Sequence, residues 1–203
     1  MVPFSTRPRQ RGALRARRLA LVSLLALLAG CTGVISATTD KPITSNPGTR
    51  TMGSQIDDEW IETKTVVNIR KADPGLENAH LVAVSYNGVL LLAGQVPSPE
   101  LRMLAAQTAS MVQNVRRVHN ELTVGPPTGF AIRSSDSLLT SKVKSKLLAR
   151  KDVPGSRIKV VTENGAVYLL GLVTRPQADA ATEAAQTTGG VQKVVRIFEY
   201  IDG

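Results

Sequence analysis

Two stretches of this chain are versions of one sequence. Residues 80–96 read HLVAVSYNGVLLLAGQV and residues 157–173 read RIKVVTENGAVYLLGLV, with an Asn-Gly pair and a later glycine in register. Flanking segments match at nearly the same offset, upstream (Trp60-Ile61 with Leu138-Leu139) and downstream (114–118 with 190–194). A repeat of this kind indicates two homologous folding units. Each spans about 65–70 residues, which is enough for a small autonomous domain.

Each unit begins with a predicted helix and a predicted hairpin. The helices are expected at 57–70 and 136–150, with Asp57 or Asp58 and Ser135 or Asp136 placed to cap them. The hairpin follows, and its Asn-Gly pair suits a type I′ turn because both turn residues need positive φ.

An alanine-rich second helix and a last strand complete each unit. They are predicted at 98–112 and 115–124 in the first copy, and at 176–188 and 191–201 in the second. The predicted fold class is therefore α+β, with two tandem α-β-β-α-β units. In each unit, two helices would pack on one face of a three-stranded sheet, since this is the simplest way to bury both.

The N-terminus has the composition of an export signal. Six arginines precede an apolar run from Leu19 to Ala29, and Gly30 stands directly before Cys31, the only cysteine of the chain. The arrangement resembles a lipobox (Leu-small-Gly-Cys) and predicts a lipoprotein signal peptide at 1–30, with Cys31 acylated by fatty acids such as palmitate. A retained signal anchor is the alternative, but spanning a bilayer needs ~20 apolar residues and this run is shorter.

The segment after Cys31 is rich in Thr, Ser, Gly and Pro. Residues 31–55 show no sustained helical or strand period, and we interpret them as a flexible tether with a span of roughly 25–30 Å. The predicted domains are then 56–124 and 135–203. A linker at 125–134, stiffened by Pro126-Pro127, would join them.

The positive charge of the chain belongs mostly to the leader. The full sequence has a formal net charge of +9, but residues 1–30 contain six arginines and no acid, which leaves +3 on the predicted mature chain. Aromatic residues make up only 3% of the sequence, so base-stacking platforms are not expected. Composition therefore gives no support to a nucleic-acid partner.

Catalytic and metal-binding patterns are missing from the sequence. Neither His80 nor His119 has a motif partner, and no serine lies in a nucleophile-elbow pattern. No His/Asp/Glu cluster has metal-ligand spacing, and helix capping explains the acidic run 57–59 more simply than a cation site does. We therefore expect no enzymatic activity, no cofactor and no metal.

Four segments together resemble the BON domain. They are TDKPITSNPGTRTMGSQIDD, YNGVLLLAGQVP, LLTSKVKSKLL and VTENGAVYLLGLVT. Two BON domains behind a lipobox are similar to the DolP (YraP) family of outer-membrane lipoproteins. The resemblance implies a non-catalytic protein that is anchored in the outer membrane and faces the periplasm. It also implies that the second BON domain binds anionic phospholipids, phosphatidylglycerol or cardiolipin, and supports outer-membrane integrity, partly at division sites.

The charge of the two copies differs in a way that agrees with this expectation. The first copy has more acidic than basic residues, whereas the first helix of the second copy carries Lys142, Lys144, Lys146 and Arg150. Of the two first helices, only the one in the second copy would be attracted to an anionic surface, at about 1 kcal/mol for each nearby basic residue.

A helical wheel assigns faces to the same helix. Leu139, Val143 and Leu147 fall within one sector and should face the sheet. Leu138 falls outside that sector, beside Lys142, and we hypothesise that it dips into lipid while the basic residues meet phosphates. The alternative is an ordinary solvated face with a single exposed leucine.

Leu138 departs from the family pattern, which implies an aromatic residue there as an interfacial anchor. The only tryptophan, Trp60, stands at the equivalent position of the first copy, with Glu59 and Glu62 beside it. Because acidic neighbours disfavour anionic lipid, we expect Trp60 to pack between the domains or against the linker.

Two rival functions remain open from the sequence. The first is an adaptor that docks an envelope-assembly or peptidoglycan-remodelling protein through the sheet faces or the domain interface. The second is an osmotic-stress, chaperone-like periplasmic protein, which resembles other dual-BON proteins that lack the lipobox.

Thr32, rather than an aspartate, follows Cys31, and by resemblance to lipoprotein sorting rules this favours the outer membrane.

Overall fold

The computed structural model describes residues 48–202, all of which belong to one structural unit, Asn46–Gly203. The predicted signal peptide, Cys31 and most of the predicted tether lie outside the described residues and stay predictions. Within residues 48–202, no helix combines the length and the apolar character needed to cross a bilayer.

Each domain has the predicted order of helices and strands. The first contains α1 (Met52–Ala72), β1 (His80–Tyr86), β2 (Val89–Val96), α2 (Pro99–Ser110), β3 (Arg117–Asn120) and β4 (Thr123–Val124). The second contains α3 (Phe130–Ala149), β5 (Lys159–Glu163), β6 (Ala166–Val173), α4 (Arg175–Gln186) and β7 (Lys193–Tyr200). The α+β, α-β-β-α-β prediction is therefore confirmed.

The second hairpin strand lies at the centre of each sheet. β1 pairs antiparallel with β2, and β5 pairs antiparallel with β6. The last strand of each domain pairs in parallel with that central strand, as β3 and β4 do with β2 and as β7 does with β6. The parallel pairing follows from the helix that connects the hairpin to the last strand.

The last strand of the first domain is broken, whereas a single strand at 115–124 was predicted. β3 ends at Asn120 and β4 starts at Thr123. Between them Leu122 is 1% exposed and packs in the core between the helices and the sheet, so the backbone leaves the regular ladder there. The side-chain oxygen of Asn120 accepts a hydrogen bond from the Leu122 backbone N–H at 3.3 Å and holds this bend.

The molecule has four layers, with helices outside and the two sheets inside. One apolar core lies between α1, α2 and the first sheet, and a second lies between α3, α4 and the second sheet. A third core lies between the two sheets and consists of Tyr86, Val89, Leu91, Ala93, Tyr168, Leu170 and Ile197. The central strands are thus covered on both faces, which explains their continuous apolar sequence.

Ion pairs surround the core between the sheets. Lys159 lies 2.7 Å from Glu62, Lys193 lies 3.5 Å from Glu121, and Arg116 pairs with Glu199. In each pair the two residues come from different domains. These contacts fix the relative orientation of the domains, because each links a residue of one domain to a residue of the other.

Both first helices begin earlier than predicted, and the predicted caps are wrong. α1 starts at Met52, where the side chain of Thr51 accepts a hydrogen bond from the Ser54 N–H, and α3 starts at Phe130 after Gly129. Asp58 and Asp136 therefore lie inside their helices. Local sequence favoured these acids as caps because a carboxylate can cap a helix without any tertiary partner.

The two acids instead bind the hairpin turn of their own domain. The carboxylate of Asp58 accepts hydrogen bonds from the N–H groups of Asn87 at 2.8 Å and Gly88 at 2.9 Å. Asp136 accepts the equivalent bonds from Asn164 and Gly165 at 2.8 and 2.9 Å. All four turn residues have positive φ, as predicted for type I′ turns. Each domain therefore joins its first helix to its hairpin through one buried carboxylate.

The two equivalent strand glycines should differ in their tolerance of alanine. Gly94 has a φ of +112°, and a Cβ there would lie 2.0 Å from the His80 carbonyl oxygen, whereas at Gly171 the nearest atom would be 3.2 Å away. We expect Gly94→Ala to destabilise the fold by about 1–3 kcal/mol. Gly171→Ala, the matched control, should cost clearly less in urea denaturation. Equal losses would contradict this assignment of backbone strain.

Candidate functional site

The inner face of α3 packs in the core of the second domain, as predicted. Leu139, Val143 and Leu147 are buried against the second sheet and α4. Their burial fixes the rotation of α3 about its axis and therefore determines which side chains reach the surface.

Leu138 and Lys142 lie together on the solvent side of α3. Leu138 is 65% exposed, and Lys142 is exposed one helical turn away. Among residues 48–202, no carboxylate pairs with Lys142. An apolar side chain beside an uncompensated cation is the local chemistry that an anionic lipid surface would recognise.

Lys144 does not belong to this face. Its ammonium donates hydrogen bonds to the carbonyl oxygens of Gly155 at 2.7 Å and Ile158 at 2.5 Å, and it joins α3 to the turn before β5. Burial lowers the pKa of Lys144 below its usual range. The structure therefore separates Lys144 from Leu138, and we leave it out of the candidate surface.

Lys146 and Arg150 have partners of their own. Lys146 donates a hydrogen bond to the Thr187 hydroxyl at 2.7 Å, and Arg150 forms ion pairs with Asp152 at 2.7 Å and Glu183 at 3.1 Å. The charge of Arg150 is thus neutralised by its neighbours. Within residues 48–202, neither Lys142 nor Lys146 pairs with a carboxylate, but Lys142 is the exposed one and lies beside Leu138.

The structure adds two apolar residues that the sequence analysis missed. Phe130 and Leu148 are 79% and 56% exposed on the solvent side of α3. Leu138, Ser141, Ser145 and Leu148 are spaced by three or four residues and therefore lie along one side of the helix. The exposed position of Leu148 could thus have been predicted from the helical wheel. Phe130 was missed because the helix was predicted to start at residue 136. We call Phe130, Leu138, Lys142 and Leu148 the α3 outer face.

The position predicted for Trp60 is wrong. Its side chain is 59% exposed on the outer side of α1, with the Lys64 ammonium 5.8 Å from the ring centroid. The hollow beside it is lined by α1 and by Gln113 and Asn114, not by the linker. The reason is that Ile61 occupies the core-facing position of this turn, and that the domains meet through their sheets.

Trp60 belongs to an apolar stripe along α1. Met52, Ile56 and Val67 lie on the same side of the helix, and each is more than two-fifths exposed. This α1 stripe is on the opposite outer layer from the α3 outer face, because the sheets separate the two helices. One flat surface therefore cannot contact both helices at the same time.

The histidines lie in structural positions. His80 Nε2 is 3.2 Å from Glu163 Oε2, and Gln95 donates a hydrogen bond to the same carboxylate at 2.9 Å, so both contacts link the two domains. Burial lowers the pKa of His119, which lies in β3. Within residues 48–202, no group of three or more His, Cys, Asp or Glu side chains is placed to hold a metal ion.

Comparison with known proteins gives the family. The BON domain model matches residues 57–126 and 135–201. The outer membrane lipoprotein DolP of Haemophilus influenzae is 45% identical over 153 residues, which are 75% of this chain and 79% of the relative. The 21 kDa hemolysin of Actinobacillus pleuropneumoniae is 39% identical over 75% of this chain and 78% of its own length. The osmotically-inducible protein Y of Escherichia coli is 31% identical over 70% and 72%.

Proposed function

Since this chain belongs to the DolP family of dual-BON proteins, we propose that it is an outer-membrane lipoprotein that binds anionic phospholipid through the α3 outer face. The location is supported by the Haemophilus relative, which is named as an outer membrane lipoprotein. The anchor is the acylated Cys31 of the predicted lipobox, and Thr32 favours outer-membrane sorting. The folded unit then faces the periplasm.

The observation that carries the proposal is the pairing of exposed Leu138 with unneutralised Lys142. Burying the leucine in the headgroup region contributes about 2 kcal/mol, and the lysine adds about 1 kcal/mol near an anionic surface. Together these correspond to only millimolar affinity. The tether compensates for this weakness, because it holds the folded unit at high local concentration over the membrane.

Phosphatidylglycerol and cardiolipin are the proposed lipids, since both carry net negative charge and no compensating amine. Through this contact the protein supports outer-membrane integrity, in part at division sites. In cells that depend on the protein, both deletion and Leu138→Asp should therefore raise sensitivity to detergent, while the amount of the Leu138→Asp protein stays at the wild-type level. Wild-type detergent resistance in that variant would show that outer-membrane integrity does not depend on lipid binding by this face.

Co-sedimentation with liposomes tests the proposal. The chain from residue 32, without the acylated cysteine, is mixed with phosphatidylcholine vesicles with and without phosphatidylglycerol or cardiolipin. We expect binding to anionic vesicles that falls with added salt and drops at least fivefold in both Leu138→Asp and Lys142→Glu. Met103→Asp and Lys71→Glu are matched controls, because both residues are exposed in the first domain.

Three outcomes would count against the proposal. Binding to no vesicle would reject lipid recognition by the folded unit, and the adaptor function would replace it. Loss of binding in Trp60→Asp but not in Leu138→Asp would transfer the lipid contact to the α1 stripe. Equal binding to neutral vesicles would reject headgroup selection. A protein partner could not use the sheet faces, because they are buried against each other.

A further inference from the structure

A second basic site lies in a hollow of about 330 Å³ between the two domains. Among residues 48–202, its wall contains four cationic side chains, Arg50, Lys144, Arg157 and Lys159, together with Tyr86 and Ser156, and no carboxylate. The residues come from the segment before α1, from the first sheet, from α3, and from β5 with the turn that precedes it. The hollow is therefore formed only when the two domains are packed together.

Contacts between these residues hold the hollow open. The Arg50 guanidinium stacks 3.8 Å from the centroid of the Tyr86 ring, and the Tyr86 hydroxyl donates a hydrogen bond to the Arg157 carbonyl at 2.7 Å. Asp58 and Glu62 neutralise two of the cations from outside the wall, Arg50 at 2.6 Å and Lys159 at 2.7 Å. These pairs fix the position of both cationic side chains.

Within the part of the chain that the structure describes, the other two cations have no such compensation. The Lys144 ammonium donates hydrogen bonds to neutral carbonyl oxygens, those of Gly155 and Ile158. Arg157 pairs with no carboxylate among the residues that the structure describes. Two uncompensated positive charges beside one concave, partly buried space favour an anion, because the low local dielectric strengthens the attraction. A guanidinium also matches the geometry of phosphate oxygens.

We propose that this hollow binds a phosphate group, with Arg157 and Lys144 as the main ligands. The phosphate is either a free phosphate compound or the headgroup of a lipid, since both present the same oxygens. The site is separate from the α3 outer face and does not depend on it. In this proposal Lys144, which is not part of the α3 outer face, is a phosphate ligand.

An NMR titration tests the site. The chain from residue 32, labelled with 15N, is titrated with inorganic phosphate at constant ionic strength, and the amides of Ser156, Arg157 and Tyr86 are followed. We expect saturable shifts at these amides and an affinity at least tenfold lower in Arg157→Gln. Lys71→Gln removes an exposed cation that lies outside the hollow and should leave the affinity unchanged. The other amides of Arg157→Gln report whether its fold is intact.

Further titrations identify the source of the phosphate. They also distinguish binding in the hollow from binding at the proposed lipid surface. If monomeric short-chain phosphatidylglycerol binds more tightly than glycerol phosphate, the ligand is a lipid headgroup. If glycerol phosphate binds more tightly, the ligand is a free phosphate compound. Equal shifts with chloride, shifts that do not saturate, or wild-type affinity in Arg157→Gln would overturn the proposal. Leu138→Asp should keep phosphate binding while losing liposome binding, so the two proposals can fail independently.

Discussion

Asp58→Ala is expected to destabilise the protein by about 3–5 kcal/mol. The Asp58 carboxylate accepts hydrogen bonds from the Ser85 hydroxyl at 2.6 Å and from the Asn87 and Gly88 N–H groups, and it pairs with Arg50. Removing it leaves three donors and one guanidinium without their acceptor at a buried site. The loss of stability exceeds the net contribution of the hydrogen bonds, because the buried donors are left without an acceptor and without water.

Urea denaturation measures this loss. Asp57→Ala is the matched control, because it removes the neighbouring carboxylate from the exposed side of the same helix. Asp136→Ala should also destabilise, through the equivalent turn of the second domain, but by less than Asp58→Ala because Arg50 and Ser85 have no counterpart among its hydrogen bonds. A midpoint for Asp58→Ala equal to that of Asp57→Ala would show that the turn does not depend on the carboxylate.

The contribution of Asp58 should depend on pH. Burial alone would raise the pKa of Asp58, but hydrogen bonds from Gly88, Ser85, Asn87 and Arg50 outweigh it and hold the pKa below its ordinary value of 3.8. Since the folded pKa is the lower one, the stabilisation is complete above that ordinary value and is lost as the pH falls through the folded pKa. The difference between wild type and Asp58→Ala should shrink at acid pH, in denaturation curves recorded from neutral pH downwards.

Leu91→Glu is expected to separate the two domains. Leu91 is fully buried between the sheets, whereas its neighbours Leu90 and Leu92 are buried in the core of the first domain. An unpaired carboxylate between the sheets costs more than about 4 kcal/mol if the domains stay packed. Each domain keeps its own core between helices and sheet, so separation avoids that cost.

Two measurements identify this separation. Small-angle scattering should show a larger radius of gyration than in the wild type, and urea unfolding should split into two transitions. Met103→Glu places the same charge on the exposed surface of α2 and should leave both properties unchanged. One cooperative transition at the wild-type midpoint would mean that the packed sheets accommodate the charge. Phosphate binding in the hollow should also be lost in Leu91→Glu, because its wall needs both domains.

The sequence by itself determined the features that depend on local pattern. The repeat established two units, and the alternation and the Asn-Gly pairs established hairpins with type I′ turns, since these turns need residues that tolerate positive φ. The periodicity of Leu139, Val143 and Leu147 identified the buried side of α3, because helix geometry alone places these residues on one face. Leu138 and Lys142 then had to lie away from the core.

Only the tertiary structure decided the features that depend on partners distant in sequence. A carboxylate near a predicted helix start looks like a cap, and nothing local shows that Asp58 and Asp136 reach the hairpin turns instead. Lys144 appeared equivalent to Lys142 until the turn before β5 supplied its two carbonyl partners. Because the domains pack sheet against sheet, Trp60 lies on the outer surface and the basic hollow forms between the domains. Contacts between distant segments arise only when the chain is folded, so no short window of sequence contains them.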